Sequence, residues 1–194
     1  MYLATRYLRY GPLVIELMIL GLLADGPLHG YALRRRMEQL HGHARAVSDG
    51  ALYPALRRLR EAGAITETVD ERPRIAAAER RTLALTDAGR ERLEEILRGA
   101  DGALVSDQSR FFVVLAFLSH LPDPDGRTAV LRRRLAFLEG GRSFFVDAED
   151  RPLRSAQLED PYRRGMLRIA RDVRATEVAW LREQIEDAPT EETT

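Results

Sequence analysis

The chain has 194 residues, 45% hydrophobic and 31% charged, and its thirty acidic residues balance thirty basic ones, all of them Arg. That length allows one domain or two small ones, and the apolar fraction excludes a wholly disordered chain. A sequence without Cys excludes disulfides, thiol catalysis and thiolate zinc sites, and one without Lys or Asn carries the mark of a GC-rich genome, so Arg abundance alone is no nucleic-acid signal.

Arg6 and Arg9 precede an apolar run over 13–24, as they would in a secretory signal. Glu16 lies inside the run, its length is below the roughly 18 residues of a spanning helix, and the turn Asp25-Gly26-Pro27-Leu28 follows instead of a cleavage site. These features predict a buried helix over 12–24, opened by Pro12. No later segment is long enough to span, so a soluble cytoplasmic protein without membrane contact is expected.

A second helix is predicted from about His29-Gly30 to Leu40, and His41-Gly42-His43 breaks it. Ser48 or Asp49 can cap a third over 50–61, with Leu52, Leu56 and Leu59 inward and Gly63 as its stop. Alternation predicts strands over 64–69 and 81–86, joined by a charged loop. Thr86-Asp87-Ala88-Gly89 opens a fourth helix ending near Gly99. Helix, helix, helix, hairpin, helix is the order of a winged helix-turn-helix.

Beyond Asp101 the pattern is helical only. Residues 106–120 are apolar nearly all round and predict one helix buried on more than one side. Residues 122–126 read as a turn and 127–139 as a helix with Leu131, Leu135 and Leu138 on one stripe. Residues 142–157 are ambiguous around Phe144-Phe145. Pro161 opens a long helix to about Asp187 with two apolar stripes. One holds Met166, Ile169, Val173 and Trp180; the other holds Leu167, Ala170, Val178, Leu181 and Ile185. Two stripes suggest two packing partners, the chain's own helices and a second copy, and the second stripe is assigned to the dimer. The expected architecture is mainly α: a winged helix-turn-helix over 1–99, a helical dimerisation domain over 100–188, and a disordered tail over 189–194.

Charge divides with this organisation. Residues 1–99 are net +3 and residues 100–194 net −3, while 29–66 alone are net +4. A basic front suits an anionic partner. With Leu52 at the centre of helix 3's buried face, Gly50, Tyr53, Pro54, Arg57 and Glu61 point outward and Arg58 lies on one flank. Small residues, an aromatic and Arg at the front of a helix suit base edges and phosphates. A solvated amphipathic helix explains the same pattern equally well. Pro54 is costly that far into a helix, because it deletes a backbone hydrogen bond.

Leu28-His29-Gly30-Tyr31, then Ser48-Asp49-Gly50-Ala51-Leu52-Tyr53-Pro54-Ala55-Leu56-Arg57-Arg58-Leu59, then Gly63 and Leu85-Thr86-Asp87-Ala88-Gly89 together resemble the PadR family of transcriptional regulators. Asp160-Pro161-Tyr162-Arg163-Arg164 before a long Trp-containing helix resembles the C-terminal region of its longer members. The resemblance implies a homodimeric, ligand-responsive regulator, most often a repressor, on a palindromic operator in double-stranded DNA. The chain departs from the family in the wing: Arg81-Thr82-Leu83-Ala84 lacks an aromatic, and the tip over 71–80 is Ala-rich.

The expected DNA contacts are therefore Ser48, Gly50, Ala51 and Tyr53, with Arg57, Arg58, Arg72 and Arg74 as phosphate or groove charge. Trp180 is the candidate contact for a small-molecule effector, beside a packing role. His41 and His43 are two ligands without a third and make a poor metal site; His29 caps or packs. No phosphate loop, nucleophile elbow or paired-His helix is present. No enzyme activity, cofactor or metal is expected. The competing reading is a winged-helix protein-interaction module without DNA binding.

Overall fold

The hydrophobic run behind Gly11 becomes α1, Pro12–Ala24, with Pro12 in its first turn. In the computed structural model, described over residues 11–40, 48–69, 81–140, 149, 151 and 157–187, α1 touches the next two helices, the sheet and two later helices. Nine of its thirteen residues are buried, Leu17, Met18, Ile19 and Leu20 completely. Glu16, the one charge in the run, reaches the surface and accepts from Arg92 Nε at 2.7 Å. The pair holds the Arg92 guanidinium above its ordinary pKa, the Glu16 hydrogen bond being the main cause and Glu95 the next.

The chain continues as β1 (Leu28–His29), α2 (Gly30–Leu40), α3 (Asp49–Glu61), β2 (Ile65–Val69), β3 (Arg81–Leu85) and α4 (Asp87–Arg98). The sheet has three strands in the order β1-β3-β2, all antiparallel, with Leu28 opposite Leu83 and Ile65 opposite Leu85. Two strands were expected. Leu28, expected to end a turn, and His29, expected at the start of the second helix, instead pair with β3, and His29 Nδ1 lies 3.2 Å from Thr82 Oγ1. Two residues are too few to show alternation. The winged helix-turn-helix is otherwise as expected, and the fold is mainly α.

Then come α5 (Gly102–Ser106), α6 (Gln108–Phe117), a 3-10 turn at Leu118–His120, α7 (Pro124–Glu139) and α8 (Pro161–Glu186). The single helix expected over 106–120 is broken at Asp107. Its backbone is extended and its carboxylate accepts from Arg110 N at 3.0 Å, so Asp107 caps α6. Phe111, Val113, Val114 and Phe117 are buried, but Phe112 is 53% exposed, so α6 is covered on one broad side only. The expected turn over 122–126 is shorter, because Pro124 already starts α7.

Two compact units are present, Met1–Arg127 and Thr128–Thr194. In the first, α6 packs on α1: Gly21 leaves room for the Phe117 ring, whose atoms would lie 2.3–2.6 Å from a Cβ there. In the second, Arg134 of α7 is 2% exposed and donates from Nε (2.7 Å) and Nη2 (3.0 Å) to Glu177 of α8. The bidentate geometry is what lets such a pair be buried. Asp160 caps α8 by accepting from Tyr162 N and Arg163 N, and these bonds, Arg163's first, hold its carboxyl below the usual range. None of the described helices is long and apolar enough to cross a membrane.

Candidate nucleic-acid interface

Periodicity gives α3 two faces. Leu52, Ala55, Leu56 and Leu59 are buried. Ser48, Gly50, Tyr53, Arg57 and Arg58 are exposed, Tyr53 at 62%, and Ala51 is half-buried. The residues assigned to DNA at positions 48–58 therefore share the free side of one helix. Ser48 occupies the N-cap position without a side-chain cap bond; its carbonyl accepts from Ala51 N and Leu52 N at 2.9 and 3.0 Å. Its hydroxyl is not engaged in holding the helix.

Pro54 lies inside α3 without ending it. The carbonyl deprived of its donor belongs to Gly50, four residues back, which is exposed. Water can serve that carbonyl, so the proline costs less than at a buried turn. The helix ends as Gly63 predicts: φ is +68°, Gly63 N donates to Arg60 O at 3.0 Å, and Ala64 N to Leu59 O at 2.9 Å. That pair of bonds turns the chain into β2.

Ion pairs fix the free face. Arg34 of α2 donates to Asp49 at 2.6 Å and to Glu38 at 3.2 Å, tying α2 to the start of α3. Those carboxylates raise the Arg34 pKa, the hydrogen bond that Glu38 accepts most of all. Arg57 approaches Glu61 only at 3.9 Å, with both side chains exposed, which leaves its guanidinium available. On the other flank Glu67 of β2 accepts from Arg60 of α3 and, at 3.4 Å, from Arg81 of β3. A cavity of about 530 Å³ lies here, lined among others by Tyr31, Arg34, Tyr53, Arg60, Glu67 and Arg81.

Sequence reasoning did not single out Arg34, Arg60, Arg81 or Glu67. Arg60 and Glu67 meet across the turn at Gly63, and the hairpin register brings Arg81 near Glu67. The turn at Gly63 and the register of the two strands were the signals that could have shown it. Arg72 and Arg74, the rest of the wing tip, His41 and His43, Phe144-Phe145 and the tail over 189–194 lie outside the described residues.

On α8, Leu181 is fully buried and Leu167 nearly so, each within the single chain. Ala170 is exposed, and Val178 and Ile185 are half-buried. The other stripe is open: Met166, Ile169, Val173 and Trp180 are exposed by 40–66%.

Residues 19–95 match the transcriptional regulator PadR-like family. An uncharacterized 37.1 kDa protein in transposon TN4556 of Streptomyces fradiae is 44% identical over 79 residues, 41% of this chain. The chain spans only 21% of that relative's length. Among solved structures, the circadian clock associated protein Pex from Anabaena is similar at 24% identity, over 45% of this chain and 74% of its own, with a TM-score of 0.39. Bacillus subtilis PadR in complex with operator DNA is similar at 21% identity, over 92% of this chain and 99% of its own, with a TM-score of 0.42. The same protein with p-coumaric acid gives 19% identity, 91% and 96% coverage, and a TM-score of 0.40. Residues 19–95, which carry α2, α3, the three-stranded sheet and most of α4, thus form a domain of the PadR-like family.

Proposed function

We propose that the chain is a sequence-specific DNA-binding transcriptional regulator, a ligand-responsive repressor that acts as a homodimer on a palindromic operator. The observation that carries this reading is the free side of α3. It gathers Ser48, Gly50, Tyr53, Arg57 and Arg58 on a helix whose other side is buried, inside a PadR-like domain. The front of α3 enters a major groove, where Gly50 and Ala51 permit close approach and Tyr53 faces the bases. Arg57 and Arg58 meet phosphates, and Arg72 and Arg74 are assigned the same role from the sequence alone.

The second copy docks on α8. Leu167 and Leu181 are occupied inside the protomer, so the dimer face moves from the second stripe to Met166, Ile169, Val173 and Trp180. Those four fall at the alternating three- and four-residue spacing of a coiled-coil seam, with Thr176 filling the one missing position. An effector that stacks on Trp180 would then act at the dimer contact itself.

Selection of bound duplexes from a random pool tests the whole reading. A palindromic consensus is expected, and a pool that never enriches would favour a protein-interaction module instead. Arg57→Ala should weaken binding to the selected duplex by roughly five- to tenfold and flatten the salt dependence by about one phosphate contact. Its circular dichroism should stay that of the parent. Unchanged affinity at fixed salt would remove Arg57 from the interface.

A further inference from the structure

Among the described residues Glu67 is the only acid lining the cavity between α2, α3 and the hairpin, and its side chain is 18% exposed. Oε2 takes Arg60 from α3 and Oε1 takes Arg81 from β3. Two guanidinium groups from the helix and the wing thus converge on one pair of anionic oxygens. A DNA phosphate running between recognition helix and wing presents the same pair of oxygens to the same two groups. Both Arg side chains remain reachable from solvent, at 41% and 65% exposure, and both border the cavity into which they could turn.

We propose that Glu67 is an internal competitor of DNA phosphate. It holds Arg60 and Arg81 in the free protein and yields them to a phosphodiester when a duplex docks on α3. The proposal rests on the DNA-binding reading above. Every duplex, whatever its sequence, must displace the carboxylate before gaining these two contacts. Only a duplex that also satisfies the base-facing residues of α3 still binds tightly after that loss, so Glu67 keeps non-specific binding weak while lowering operator affinity by the same factor. Neutralising it leaves the interface one positive charge richer toward any phosphate backbone.

The test measures affinity of the full chain for the selected duplex and a scrambled one, between about 0.05 and 0.3 M salt. Glu67→Gln should tighten the scrambled duplex roughly three- to tenfold and steepen its salt slope by about one, and tighten the selected duplex by a like factor. Glu67→Thr, suited to a strand, should do the same and covers the case in which the glutamine variant folds poorly. Glu67→Gln combined with Arg60→Gln should return slope and scrambled-duplex affinity to the parent's values or below. A slope unchanged in both single variants overturns the proposal, as does an equal loss of both duplexes, which a merely structural Glu67 would give. A parent that binds neither duplex brings down the DNA reading and this inference with it. A parent that selects DNA while its variants match it sinks the competitor role alone.

Discussion

Gly89 stands where α4 begins, and a Cβ there would lie 2.0 Å from the Ala64 carbonyl oxygen. Around it Thr86 does three things. Its N–H donates to Ala64 O at 3.1 Å, its hydroxyl donates to Gly63 O at 2.7 Å, and the same oxygen accepts from Gly89 N at 3.1 Å. The end of α3, the start of β2 and the cap of α4 are thus joined through four residues. The start of α4 at Thr86-Asp87-Ala88-Gly89 was legible because Thr three residues before a helical amide is a local signal. The need for glycine was not legible, since the obstructing atom belongs to a residue twenty-five positions earlier. Backbone cannot move aside as a flexible side chain can. Gly89→Ala should therefore cost about 1–3 kcal/mol and lower the thermal midpoint by several degrees, roughly 3–10 °C. A midpoint equal to the parent's would show that α4 can shift off β2 freely.

At the scale of elements, the helices of the first half were readable because each has a breaker at its end and leucines at helical spacing. Elements whose definition depends on a distant partner were not: β1 exists only because β3 lies beside it. The two stripes of α8 present the same difficulty. Period alone gives Leu167 and Met166 equal standing, and only burial separates them, 8% against 49% exposed. Exposure of the Met166 stripe has a direct consequence. Ile169→Asp and Val173→Asp place charges on positions 66% and 45% exposed, where the protomer itself should tolerate them. In a dimer seam the same charges would be desolvated without partners. Sedimentation of the double variant should give a folded monomer where the parent gives a dimer. A dimer that persists in the variant would return the interface to the stripe of exposed Ala170 and half-buried Val178 and Ile185.

For the whole molecule, the division of charge sets a boundary near residue 99, and packing sets another. The net +3 over 1–99 ends with α4, but α1 needs more than that segment to be covered. Phe117 of α6 fills the space over Gly21, and the compact unit runs to Arg127. His120 Nε2 also lies 3.1 Å from Asp25 Oδ1, closing the far end of α6 on the end of α1. A chain cut after Gly99 loses this cover and leaves part of the apolar surface of α1 in water. Each large side chain so exposed forfeits roughly 1.5–3 kcal/mol, against a total stability of about 5–15 kcal/mol for a domain. We therefore expect the fragment ending at Gly99 to be aggregated or molten, and the fragment ending at Arg127 to unfold cooperatively. The longer fragment, without α8, should be monomeric and bind the selected duplex weakly, because one recognition helix reads one half-site. Thermal melts of the two fragments decide the matter. A sharp transition in the shorter one would place the structural boundary where the charge changes sign and reduce α5 and α6 to a linker between the two halves.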